Sequence, residues 1–141
     1  MEYGCILTLE DLQAYLSGAS IAAFDFETAP DDAYRSDDRA ALDAHKSHIT
    51  GISFSVAEGD AVYLPLAHRV GENAAEQDAV WGWLNPAFFM NPAVTKIAHN
   101  LAFESAFLYA RGIVVQEPCY DTIAAAQLVY KNEKEFRSLG D

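Results

Sequence analysis

A chain of 141 residues with 51% hydrophobic and 12% aromatic side chains is the size of one domain and can bury a core without staples. Its 9 Lys and Arg against 21 Asp and Glu leave a net charge of −12, which excludes nucleic-acid binding driven by a basic surface. Two cysteines, Cys5 and Cys119, exclude a disulfide framework, and the apolar runs are short and interrupted, so a soluble protein of a reducing interior, away from membranes, is expected.

Thr8-Leu9-Glu10-Asp11 resembles a capping box that opens a short helix through about Leu16, where Ser17-Gly18 stops it. A strand is expected from Ile21 to Glu27, followed by a charged surface insertion at about 29–48, with one helical turn around Arg39 to Ala44 that could fold over a site entrance. Ile49 to Val56 and Ala61 to Leu66 read as a hairpin turned by Glu58-Gly59-Asp60, which makes three sequential antiparallel strands. Glu72 to Leu84 is predicted helical, Val94 to Ala98 a strand, Leu101 to Tyr109 a helix ended by Arg111-Gly112, Ile113 to Val115 a further extended stretch, and Thr122 to Tyr130 an apolar helix. The tail Lys131 to Asp141 carries no pattern of its own. The order predicts an α/β fold, a mixed sheet flanked by helices.

Chemistry concentrates in Ile21 to Thr28, where Asp25 and Glu27 share one face of a strand and Phe24 and Phe26 the other. An ionised carboxylate in an apolar setting neutralises itself, pairs, or binds a cation, and hard oxygen ligands suit Mg²⁺ or Mn²⁺; the competing reading is a strand end whose acids face water. In Lys96 to Glu104 a strand hands over to a helix that Asn100 can cap through its side chain, with Glu104 near the positive end of the helix dipole. Asp121 lies at a second strand-to-helix junction, where a helix cap is the commoner role. His45, His48, His68 and His99 form no zinc spacing, and the first three are expected in structural or surface roles. Trp81, Trp83, Phe88 and Phe89 could stack on bases, but their helical register favours the core.

Taken in order, Phe24-Asp25-Phe26-Glu27-Thr28 and His99-Asn100-Leu101-Ala102-Phe103-Glu104 resemble the first two motifs of the DEDD 3′–5′ exonucleases. Ile52 to Ser55, Tyr63 to His68 and Asp121-Thr122 are similar to the matching segments of the proofreading domain of family A DNA polymerases, the DNA polymerase I type. The resemblance covers roughly residues 19–141. It implies a ribonuclease H-like fold and two-metal hydrolysis of the terminal phosphodiester at the 3′ end of single-stranded DNA. Asp25, Glu27 and Glu104 would be the catalytic metal ligands, with Thr28, Asn100 and Phe103 positioning the terminal nucleotide. It further implies a polymerase domain in the same or a partner chain and a bacterial or phage-type cytoplasm. A ribonuclease D-like exoribonuclease and a non-catalytic module that binds nucleic-acid ends are the alternatives.

The chain departs from the pattern twice. Glu104 stands where the family has Asp, and the third motif, Tyr-x-x-x-Asp or His-x-x-x-x-Asp, has no counterpart after Asp121. Tyr34 to Asp38 matches its spacing but lies in the insertion, in the wrong order. Residues 1–141 are thus expected to form one partial exonuclease domain, C-terminally incomplete and weak or inactive by itself.

Overall fold

The structure, a computed structural model, describes residues 2–130. The expected tail from Lys131 onward lies outside the described residues. Six strands form one sheet in the order β1-β4-β3-β2-β5-β6. They are β1 (Glu2–Cys5), β2 (Ile21–Pro30), β3 (Ser47–Ala57), β4 (Asp60–Pro65), β5 (Thr95–Ala98) and β6 (Cys119–Asp121). The helices are α1 (Leu9–Leu16), α2 (Gln77–Leu84), α3 (Leu101–Ala110) and α4 (Thr122–Tyr130). Strands β2, β3 and β4 are antiparallel neighbours, as the hairpin pattern predicts, whereas β5 and β6 join in parallel. Mixed pairing of this kind needs long crossovers, which α2 and α3 supply.

Alternation along β2 sorts the two faces of the sheet. Ala22, Phe24 and Phe26 are buried; Phe24 meets Phe88 and Phe89, Phe26 meets Phe89, and Phe54 meets Phe88, all edge to face at 5.3–6.1 Å between ring centroids. Leu12 and Leu16 of α1, Val80 and Leu84 of α2, and Leu108 of α3 complete this core. Trp81, Phe88 and Phe89 belong to it, so the core reading of these aromatics holds. Lys96 is also fully buried; its Nζ donates to the Asn91 carbonyl at 2.7 Å, and burial lowers its pKa.

Helix α1 starts as its sequence predicts. Thr8 Oγ1 accepts from the Asp11 amide at 3.2 Å and donates to the Asp11 carboxylate at 2.8 Å. Helix α2 begins five residues later than the pattern from Glu72 suggests. Glu76 takes a left-handed backbone (φ 52°), and Ala74 and Ala75 give their amides to Pro65 and Leu7 across the fold, so no helix can run through them. Beyond Leu84 the chain continues as a π-helical turn, Asn85–Phe89, which delivers Phe88 and Phe89 to the core.

Ile113 to Val115 is not a strand. Gly112 (φ 78°) closes α3, and Ile113 folds back to donate to Leu108 at 2.9 Å with its side chain buried, so the extended segment comes later, at Cys119. Strand β2 runs past Glu27 because Ala29 and Pro30 still pair with His48 and Ser47, which leaves residues 31–46 as the loop proper. Two 3₁₀ turns, Asp32–Tyr34 and Ala40–Leu42, shape it, the second within the predicted helical turn. Asp32 anchors the loop through ion pairs to Arg35 and Arg69.

Candidate active site

Asp25 and Glu27 emerge on the face of β2 opposite the aromatic core, in line with Ala23, and the strands beside them carry small side chains there, Ser55 opposite Ala23 and Ser53 opposite Asp25. Asp25 is half-buried and Glu27 is exposed. A bulge follows Glu27 directly, where the register slips between Glu27↔Gly51 and Thr28↔Ile49, and such bulges redirect the side chains around them. Thr28, expected to hold substrate, donates through Oγ1 to the Ala41 carbonyl at 2.7 Å and pins the 31–46 loop to the sheet.

Helix α3 buries Glu104, Phe107 and Leu108, an i, i+3, i+4 stripe that carries a carboxylate into the fold. Glu104 is 1% exposed, and its Oε2 has no hydrogen-bond partner. Burial lifts its pKa to about 7 against the lowering by its own amide, with smaller increases from the charges of Asp25 and Asp121 and a smaller lowering by the Phe26 amide. Asp25 lies beside Glu104, and its pKa is also raised: burial raises it most, against a lowering by Glu104 and His99. Two neighbouring carboxyl groups, one of them buried with an oxygen that no hydrogen bond uses, are a donor set fit for a hard divalent cation. Among the described residues no three His, Cys, Asp or Glu side chains converge into a finished cage.

The predicted role of Asn100 as a side-chain cap does not hold. Asn100 sits in the left-handed region (φ 68°) without a capping bond of its own. Asp121 supplies the cap from β6, its carboxylate accepting from the amides of Asn100 at 2.9 Å, Leu101 at 3.0 Å and Ile123 at 3.0 Å. One acid therefore tethers the starts of both α3 and α4, a contact across 20 residues that local pattern could not reveal. Replacing Asp121 with alanine strips the caps of two helices and should cost about 2 kcal/mol in urea unfolding.

Phe103 is half-buried on α3 and packs against Phe107 with the rings tilted by 53° and their centroids 4.9 Å apart. His99 was the histidine without an assigned role, and the structure turns it to the cleft. His99 Nδ1 lies 2.8 Å from Thr122 Oγ1, which also reaches the Ala98 carbonyl at 3.4 Å, and His99 Nε2 is buried without a hydrogen-bond partner. The cleft beside it is lined by Ala23, Asp25, Ser53, Ser55, Ile97 and Thr122.

The sheet order and the acids at its centre define a ribonuclease H-like nuclease fold. Solved structures agree: Escherichia coli RNase D aligns with a TM-score of 0.64 at 18% identity, covering 99% of this chain and 32% of that one. Brucella melitensis NrnC aligns at 0.61 and 19%, covering 98% of this chain and 56% of that one. A family model described as 3′–5′ exonuclease, of the DNA polymerase A type, matches residues 5–141, and the chain belongs to that family. DNA polymerase I of Chloroflexus aurantiacus is 32% identical over 125 residues, and that of Pseudomonas aeruginosa 29% over 131. These alignments cover 89% and 87% of the chain but only 12% and 13% of the polymerases, so the chain spans a small part of either relative.

Proposed function

We propose that this chain belongs to a proofreading-type exonuclease domain that removes nucleotides from the 3′ end of single-stranded DNA. The observation that carries the reading is Glu104, a carboxylate 1% exposed with a partnerless oxygen beside Asp25. Asp25, Glu27 and Glu104 would hold two divalent ions, Mg²⁺ or Mn²⁺, which when bound supply an activated water and a Lewis acid at the leaving 3′ oxygen. Asp25 and Glu104, whose pKa values burial raises, would have to be ionised to hold the cations. The exposed Asn100 side chain meets the terminal nucleotide, with Phe103 beside it and His99 lining the cleft.

The sheet face on this side leaves Ile21 and Tyr120 exposed, and α4 exposes Leu128 and Val129. Such apolar surface suits burial against further polypeptide, here the remainder of an exonuclease and polymerase assembly in the same or a partner chain. The matching compartment is the cytoplasm, where the free thiols Cys5 and Cys119 stay reduced. No helix among the described residues is long and apolar enough to cross a membrane.

The test is to incubate the full chain with 3′-labelled single-stranded DNA, and in parallel with the RNA of the same sequence, in Mg²⁺ or Mn²⁺. Asp25→Ala should lower 3′ nucleotide release by about 1,000-fold or more, since it removes an acid shared by both proposed cations. Release that survives Asp25→Ala would sink the metal assignment. Preferred release from RNA would support the ribonuclease D-like alternative, and retained end binding without release would support the non-catalytic one.

A further inference from the structure

Beside Glu27 the sheet carries a polar device that none of the three acids accounts for. Glu27 faces Gly51 across the β2–β3 ladder, and the space a Cβ at residue 51 would fill is taken by the Tyr63 phenol, reaching over diagonally from β4. Only glycine leaves that seat open. The Tyr63 hydroxyl meets His68 Nε2 at 2.6 Å. His68 is itself braced, its amide accepted by Asn73 Oδ1 at 2.8 Å and its carbonyl bonded by Asn73 Nδ2 at 2.9 Å. The bulge at Thr50 sets the loop in place, because its carbonyl accepts from Leu66 at 2.8 Å and from Ala67 at 3.0 Å, immediately before His68.

We propose that His68 and Tyr63 form a hydrogen-bond relay that orients the Glu27 carboxylate for cation binding. With the proton on Nε2, His68 donates to the Tyr63 oxygen, and the phenolic hydrogen is left to donate toward Glu27. Carboxylates that ligate metals are commonly fixed by such outer partners, and losing one typically costs ten- to a hundredfold in metal affinity. Burial and then the Glu27 charge hold the phenol pKa up, against a lowering by the Thr50 side chain. Tyr63 and His68 are positioning residues here, acting through Glu27, and the proposal rests on the reading of Asp25, Glu27 and Glu104 as cation ligands.

Mn²⁺ titration of the full chain by calorimetry tests it, with Tyr63→Phe, His68→Gln, Glu27→Gln and the double variant Glu27→Gln/Tyr63→Phe. Tyr63→Phe keeps the ring over Gly51 and should weaken Mn²⁺ binding about tenfold or more, with His68→Gln weakening it in the same direction. The loss should vanish when Glu27 is already Gln, since the hydroxyl would then have no carboxylate to orient. Wild-type affinity in Tyr63→Phe, or an undiminished loss in the Glu27→Gln background, would overturn the relay while leaving the metal reading intact. Failure of the unaltered chain to bind Mn²⁺ would overturn the metal reading, and the relay with it.

Discussion

Glu104→Gln should make the protein more stable at alkaline pH and remove its stabilisation by Mn²⁺. Burial raises the Glu104 pKa from 4.5 to about 7, so the folded protein holds a proton there that the unfolded chain releases. The stability linked to that proton is fully present below about pH 4.5 and is lost as pH rises through 7. At 1.36 kcal/mol per pKa unit the loss is about 3 kcal/mol, and the raised pKa of Asp25 adds to it in the same direction. For a domain of this size that amounts to a fall in melting temperature on the order of 10 °C between mildly acidic and mildly alkaline buffer. Glutamine cannot ionise, so most of this slope should disappear in thermal melts of Glu104→Gln. Under the proposed metal assignment a cation would take the place of that proton in the unaltered chain, and Mn²⁺ at about a hundredfold its Kd should then restore about 2.7 kcal/mol. A melting curve for Glu104→Gln that keeps the full pH slope would show that this carboxyl is not the group responsible.

The second large effect is expected in the core. Phe89 is fully buried and touches the rings of Phe24, Phe26, Trp81 and Phe88 at 5.1–6.3 Å between centroids. Phe89→Ala removes the ring and leaves a cavity among side chains that are themselves packed, so about 3–5 kcal/mol of stability should be lost in urea unfolding. Its consequence for the site is direct. Phe24 and Phe26 alternate with Asp25 along β2, so loosening the buried face frees the strand that aims the acids. A loss below about 1 kcal/mol would mean that the π-helical turn collapses onto the gap, since the cost depends on how well the site relaxes.

The elements that could be read from sequence are those whose signal is local. The Thr8 to Asp11 box sets the start of α1, Glu58-Gly59-Asp60 turns the hairpin, and the alternation Phe24-Asp25-Phe26-Glu27 assigns the two faces of β2. Those that could not be read depend on partners elsewhere. The strand β1 and the displaced β6 are four and three residues long, defined by the neighbours they pair with more than by any period of their own. The late start of α2 follows from amides of Ala74 and Ala75 claimed by distant carbonyls.

The sequence by itself determined the family motifs, the α/β order and the candidate acids, because strand alternation and motif spacing are written into neighbouring residues. Tertiary structure alone decided what those residues do. It buried Glu104 against Asp25, assigned the cap of α3 to Asp121 instead of Asn100, gave Thr28 to the 31–46 loop, and seated Tyr63 over Gly51 beside Glu27. Burial, charge and hydrogen bonding all depend on distances between residues far apart in the chain, and those distances exist only once the sheet has closed its register.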